Sequence, residues 1–254
     1  MPQDSLVYGD IGIIFVSSII GLSPSVISAF DVLKAKGGAI EGVDIFEGQN
    51  IEKGFWKILG LTALPGSHAR RVKFANNFDE NRLFEIISAR IEKLKNQGKK
   101  NIILGGMSGG FIFAARMAQV PADEDVAPYA FKNRPLVKGL FGISPLIFYP
   151  ADVFQKGADL GKIPEHIPVV LIWGDADTII PEGTIAYGER ISRKNKNIEC
   201  RIIRGSDVGR NDGTIRHQFF GGRDFVKSLK NVFWDAAAEK IALDEIMSVI
   251  KMAK

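Results

Sequence analysis

Cysteine, histidine and early positive charge are all scarce in this chain, and each scarcity excludes something. One cysteine, Cys200, occurs in 254 residues and cannot close an internal disulfide. No Cys/His cluster has the spacing of zinc ligands, which argues against a structural metal and for a reducing compartment, the cytoplasm. No Lys or Arg precedes Lys34, while Asp4 and Asp10 do, so the apolar run Ile11 to Leu22 lacks the basic start of a signal peptide. That run is also too short to span a bilayer and is interrupted by Ser17 and Ser18, so it reads as a buried strand and not as a membrane insertion. The net charge is +4. Its local clusters, Arg70 to Lys73 and Lys95 to Lys100, are not interleaved with aromatics as a nucleic-acid surface would be, and they read as solvated faces. No internal repeat, low-complexity tract or G-x-G-x-x-G dinucleotide fingerprint is present.

What is there is an apolar chain, 46% hydrophobic, long enough to bury a large core as one domain spanning 1–254. Strand-like runs alternate with helix-like segments. Ile11 to Ser18, Ala39 to Phe46, Ile102 to Gly105, Leu136 to Ile143, Val169 to Trp173 and Ile198 to Ile203 read as strands. Helices are expected at Ser25 to Lys36, stopped by Gly37 and Gly38, at about Asn81 to Asn96, and at about Asp235 to Ala253. The second of these carries Leu83, Ile86, Ile87, Ile91 and Leu94 at intervals of three and four and stops at Gly98. Near-continuous apolar strands separated by helices imply an α/β fold: a mostly parallel sheet covered on both faces, with ligands at the carboxyl ends of the strands. Two connections, 47–80 and 120–134, exceed ordinary length and are candidate lids or pocket walls.

One segment carries chemistry. Asn101 to Gly110 reads as a strand running into a helix, with Ser108 on the sharp turn in a G-x-S-x-G pattern (Gly106, Met107, Ser108, Gly109, Gly110). Glycines are needed there because the turn brings strand and helix backbones too close for side chains. The apolar run Ile102 to Leu104 before the turn and the dense apolar stretch Phe111 to Ala118 after it supply the strand and the buried helix of a nucleophile elbow. No Lys follows the glycines, as a phosphate-binding P-loop would require.

A serine nucleophile needs a base, and the base needs an orienting carboxylate. Of three histidines, His166 lies between Pro164 and Pro168 just before a strand, at the amino end of the sheet. His68 sits in the first long connection, which leaves His217 as the base. The acid is expected after a later strand, where Gly174 to Pro181 supplies Asp175 and Asp177. Asp177 is taken as the triad acid, because Asp175 directly follows the strand-ending glycine and suits backbone bonding in the loop. The order Ser108, Asp177, His217 is the order of the α/β-hydrolase fold. Each member has a plainer reading as well: a helix cap, an Asx-turn and a loop histidine.

At this point the chain resembles the dienelactone hydrolase branch of the α/β hydrolases. Gly174 to Pro181 (G-D-A-D-T-I-I-P) is similar to that family's acid loop, and His217 to Phe219 (H-Q-F) to its histidine loop. Ser17 to Gly37, followed by Val43 to Gly48, resembles its oxyanion strand, turn, helix and next strand. The resemblance implies an oxyanion hole formed by the backbone N–H groups of Ile19 and Gly109. Two departures stand out: the dienelactone hydrolases carry cysteine where this chain has Ser108, and a glutamate near the oxyanion turn where it has Ser18. Both argue against dienelactone as substrate and leave ester chemistry intact.

The expectation is therefore a serine hydrolase acting on a small-molecule carboxylic ester, lactone or thioester, with no cofactor. Phe46, Phe55, Trp56, Ile58, Leu59, Phe148 and Tyr149 are candidates either for the substrate pocket or for satellite core. The alternative is an idle hydrolase fold serving as a binding module, because the polar, glycine-bearing stretch Gly205 to Thr214 could leave His217 out of reach.

Overall fold

Alternate side chains of each strand go to opposite faces, and here both faces are apolar. In β1 (Ile11–Val16), Ile14 and Val16 join one core while Ile11, Ile13 and Phe15 join another. The same split recurs in β3 (Asn101–Met107) and β5 (Val169–Gly174). A strand buried on both faces must sit in the middle layer of three, and the computed structural model has that architecture. It describes residues 8–18, 22, 24–49, 78–122, 124, 126–147, 156–177, 180, 183–210, 215, 220 and 235–253. With β2 (Ala39–Val43), β4 (Val137–Ile143) and β6 (Ile198–Ile203), the strands form one sheet in the order β2-β1-β3-β4-β5-β6. Every pair is parallel.

The helices divide between the faces. The helix Glu80–Asn96 packs on β1 and β2, and its Leu94 closes over Gly12. It starts where the Asp79 carboxylate accepts the Arg82 N–H. It ends at Gly98, φ +83°, with Lys99 N–H donating to Leu94 O and Gly98 N–H to Lys95 O, the paired bonds of a Schellman stop. On the opposite face the helix Ala236–Met252 buries Ala238, Ala242, Ile246, Val249 and Ile250 and lies across β4 and β5. Among the described residues no helix is long and apolar enough to cross a membrane.

Three elements differ from the expectation. The helix expected over Ser25 to Lys36 is two short ones, Pro24–Ser28 and Asp31–Lys34. The break lets Phe30 turn inward, where its ring lies 5.8 Å from Phe15, 5.9 Å from Phe141 and 5.7 Å from Phe220. The connection 120–134 holds a helix, Ala127–Asn133, packed on Glu80–Asn96 with Tyr129 stacked on Phe84 at 6.3 Å. The third such element, the helix Thr184–Lys194, makes the crossover between β5 and β6 that parallel pairing demands.

Candidate active site

The elbow is built as its glycines require. Ser108 follows β3 with φ 51°, a left-handed value that non-glycine residues adopt only under local constraint. Its N–H donates to Ile143 O at 3.0 Å, and its carbonyl accepts from Phe111 N at 3.2 Å and Leu146 N at 3.1 Å. The turn is thus tied both to β4 and to its own helix, Gly110–Ala118. A Cβ on Gly106 would lie 2.5 Å from Phe111 N, and one on Gly110 would lie 2.2 Å from Ser17 O and 2.4 Å from Val16 O. Both clashes are with backbone, so neither glycine can be replaced without moving a strand end or the helix. Ser108 itself is only 3% exposed.

Gly109 is the first helix-side residue of the elbow, and it is buried. Its N–H has no acceptor among the described residues. An amide that opens a helix is suited to an anion. The second expected donor, Ile19, lies outside the described residues, as do His217, His68, Phe55, Trp56, Ile58, Leu59, Phe148 and Tyr149.

The acid loop follows β5, two strands from the elbow. Asp175 bonds the backbone as its position suggests: Oδ2 accepts from Gly205 N at 2.9 Å and Oδ1 from Ile215 N at 3.0 Å. Ala176 N–H returns a bond to Ile215 O at 3.0 Å, and Gly174 is packed so closely on that carbonyl that a Cβ would come within 2.0 Å of it. Asp177 is half-buried, and its N–H donates to Gly174 O at 3.3 Å. The chain therefore enters the segment of His217 at Ile215, fixed against the acid loop, and leaves it at Phe220, buried against Phe30. His166 is exposed ahead of β5, at the amino end of the sheet and remote from the elbow.

Phe46 is buried in the same apolar cluster as Leu83, Ile86 and Ile87 of the helix Glu80–Asn96. Two features escaped the sequence. Arg116, in the helix behind the elbow, is fully buried, pairs with Glu80 at 2.6 Å and lies 4.9 Å over the Phe84 ring. Ser144, at the end of β4, has φ 43° and a buried hydroxyl with no partner among the described residues. Cys200 has its thiol pushed up to about 11 by burial, so it is not a reactive nucleophile.

No family model and no curated protein sequence matches this chain. Its structure does match solved ones, and the architecture they share is the α/β-hydrolase fold. A dienelactone hydrolase-like promiscuous phosphotriesterase from metagenomic libraries is 14% identical with a TM-score of 0.57, over 94% of this chain and 85% of that one. An α/β-hydrolase enzyme from a Medee basin deep-sea metagenome is 13% identical with a TM-score of 0.58, over 100% and 89%. An esterase from Thermogutta terrifontis, solved with butyrate bound, is 13% identical with a TM-score of 0.52, over 99% and 87%.

Proposed function

We propose that this protein is a serine hydrolase of small-molecule carboxylic esters, lactones or thioesters, acting as one domain through Ser108, His217 and Asp177. The observation that carries the reading is a serine held at φ 51° beside a buried Gly109 N–H that has no acceptor among the described residues. Such a donor, next to a hydroxyl at the carboxyl end of a parallel sheet, suits an oxyanion that exists only during reaction. The acid loop supports the same reading. Elbow and loop are separated by β4, roughly 10 Å at two strand spacings, a gap an imidazole between two side chains can bridge. His217 is two residues from Ile215, and two residues of chain span at most about 7 Å.

In this mechanism His217 takes the Ser108 proton as Oγ attacks the acyl carbon. Asp177 holds the imidazole in the tautomer that presents a bare nitrogen to the serine. The amides of Gly109 and Ile19 receive the developing oxyanion, each worth about 3 kcal/mol of barrier. The leaving group takes the proton back, and water, with His217 as base, releases the acyl group from Ser108. No step calls on a cofactor. Among the structural neighbours, one esterase is described as phosphorylated by paraoxon, and another protein as a promiscuous phosphotriesterase. A fluorophosphonate that esterifies an activated serine is accordingly the direct test. The protein should take up one label and cleave p-nitrophenyl esters, and Ser108→Ala should lose both while keeping its melting temperature.

The slight exposure of Ser108, 3%, favours a second reading, an idle hydrolase fold used as a binding module. Absence of label on folded protein would decide for it.

A further inference from the structure

The strand beside the elbow ends in a second turn of the same form. Gly142, Ile143 and Ser144 close β4 as Gly106, Met107 and Ser108 close β3, with Gly106 opposite Gly142 and Met107 opposite Ile143 in register. Ser144 has φ 43° where Ser108 has 51°, so two serines on adjacent strand ends turn left-handed side by side. Each extends the ladder by one bond: Ser108 N–H donates to Ile143 O at 3.0 Å, and Ser144 N–H to Ile172 O at 2.7 Å. In both turns the chain folds back over the glycine two residues before the serine. A Cβ on Gly142 would lie 2.7 Å from Pro145 Cβ and 2.8 Å from Phe111 Cδ2. The second turn is also held from both sides, because Leu146 N–H donates to Ser108 O at 3.1 Å and Trp173 Nε1–H to Pro145 O at 3.2 Å.

Neither backbone nor burial favours a serine at 144. A left-handed turn suits glycine, and a hydroxyl that is 0% exposed with no partner among the described residues lowers stability. Strained and unsatisfied groups of this kind cluster where ligands react. Neighbouring strands lie roughly 4.8 Å apart and like turns send both side chains off in the same sense, so the two hydroxyls are about one strand spacing apart. A hydrogen bond takes up about 2.8 Å of that span, which leaves room for a single oxygen atom between Ser144 and an acyl group on Ser108. Two oxygens of the reaction visit that place, the leaving group's and the attacking water's, and only water brings a second proton that needs an acceptor. We propose that the Ser144 hydroxyl is a positioning group for the water that releases the acyl group. The proposal rests on the esterase reading above. In this step the water oxygen bonds to the acyl carbon, and one of its protons passes to the base and on to Ser108 Oγ as the bond from Oγ to carbon breaks. The other proton stays on the acid formed, hydrogen-bonded to Ser144 Oγ.

The test compares wild type with Ser144→Ala, which removes the hydroxyl alone, by rapid mixing with p-nitrophenyl butyrate in the presence and absence of methanol. The burst of p-nitrophenol that reports acylation, and the rate of fluorophosphonate labelling, should stay within about 2-fold of wild type, because neither uses water. Release of the acyl group to water should slow about 10-fold, and with methanol present the ratio of methyl butyrate to butyrate should rise by a similar factor. That product ratio reads the effect even where acylation limits turnover. Ser144→Gly, whose backbone accepts the turn freely, stands in if the alanine variant fails to fold, and should show the same rise. Burst and turnover slowed by one common factor would assign Ser144 to acylation or to the fold, and overturn the proposal. If wild-type protein takes no fluorophosphonate and cleaves no ester, the esterase reading has failed and this proposal falls with it. A labelled, active wild type beside Ser144 variants with an unmoved product ratio overturns the role toward water alone.

Discussion

Asp175 and Ile215, forty residues apart in the chain, meet where the acid loop holds both backbone polar groups of Ile215, its N–H and its C=O. The carboxylate accepts the Ile215 N–H while the Ile215 carbonyl accepts the N–H of Ala176. With its other oxygen on Gly205 N–H, Asp175 clamps the acid loop to the approach of His217.

This separates the two aspartates experimentally. Asp175→Asn places an amide NH2 against one of two N–H donors, and should lower stability by about 1–2 kcal/mol, seen as a lower melting temperature. Asp177→Asn should leave the melting temperature in place and cut kcat by up to about 10⁴, through the wrong histidine tautomer. If Asp175→Asn proved the more damaging to kcat at equal stability, the acid would be misassigned.

Activity should rise with pH through one ionisation near neutrality, because His217 acts as base only when neutral. His217→Gln should abolish that dependence together with most of kcat. An unchanged profile in this variant would move the role to another group.

Ser144 combines a left-handed backbone with a buried hydroxyl that has no partner among the described residues. Glycine adopts that conformation freely and removes the orphaned group, so Ser144→Gly should raise stability by about 1 kcal/mol. Chemical denaturation measures it. A loss of stability would mean that the hydroxyl is satisfied in solution.

Breaking the buried Arg116 and Glu80 pair from one side should cost about 3–5 kcal/mol, because it leaves a charge in the core. Arg116→Met should therefore be severely destabilised, and the double variant Arg116→Met with Glu80→Gln should recover much of the loss. A double-mutant cycle with no coupling would show that the pair contributes little.

Burial raises the Cys200 thiol to about 11. The native protein should therefore react with a disulfide reagent at pH 8 roughly 100-fold more slowly than unfolded chain, which has the ordinary thiol. A thiol harder to ionise when folded favours the native state below the ordinary thiol range. That contribution should fade as pH rises from about 9 to about 11. Denaturation of Cys200→Ser across that range, compared with wild type, isolates it.

The sheet and the elbow were legible because their signals are local. Six apolar runs marked six strands, and Gly106 and Gly110 mark close backbone approaches within a few residues of Ser108. The helix Ala127–Asn133 was not legible: it is seven residues long with Pro128 in its first turn. Thr184–Lys194 hid for a different reason. It buries only Thr184 and Gly188, and Gly188, a helix breaker by propensity, is there because a Cβ would come within 2.6 Å of the Trp173 ring. Asp175 could be read as a loop-bonding residue, but not its partners at Gly205 and Ile215, which only the fold brings near. The Arg116 and Glu80 pair spans 36 residues and leaves no pattern in either neighbourhood.

The helix Ala236–Met252 has a consequence for how the protein is made. It follows all six strands in the chain, yet it covers Ile103, Phe141, Ile143, Val170 and Ile172 near the centre of the sheet. As the chain leaves the ribosome, β1 to β5 can pair while one apolar face still waits for its cover. For that interval the nascent sheet presents the kind of surface on which chains associate with one another. Synthesis at 5–20 residues per second, roughly, would put several seconds between the end of β5 and the arrival of that helix. Yield in a host with little chaperone capacity should therefore depend on the apolar face of this helix more steeply than equilibrium stability does.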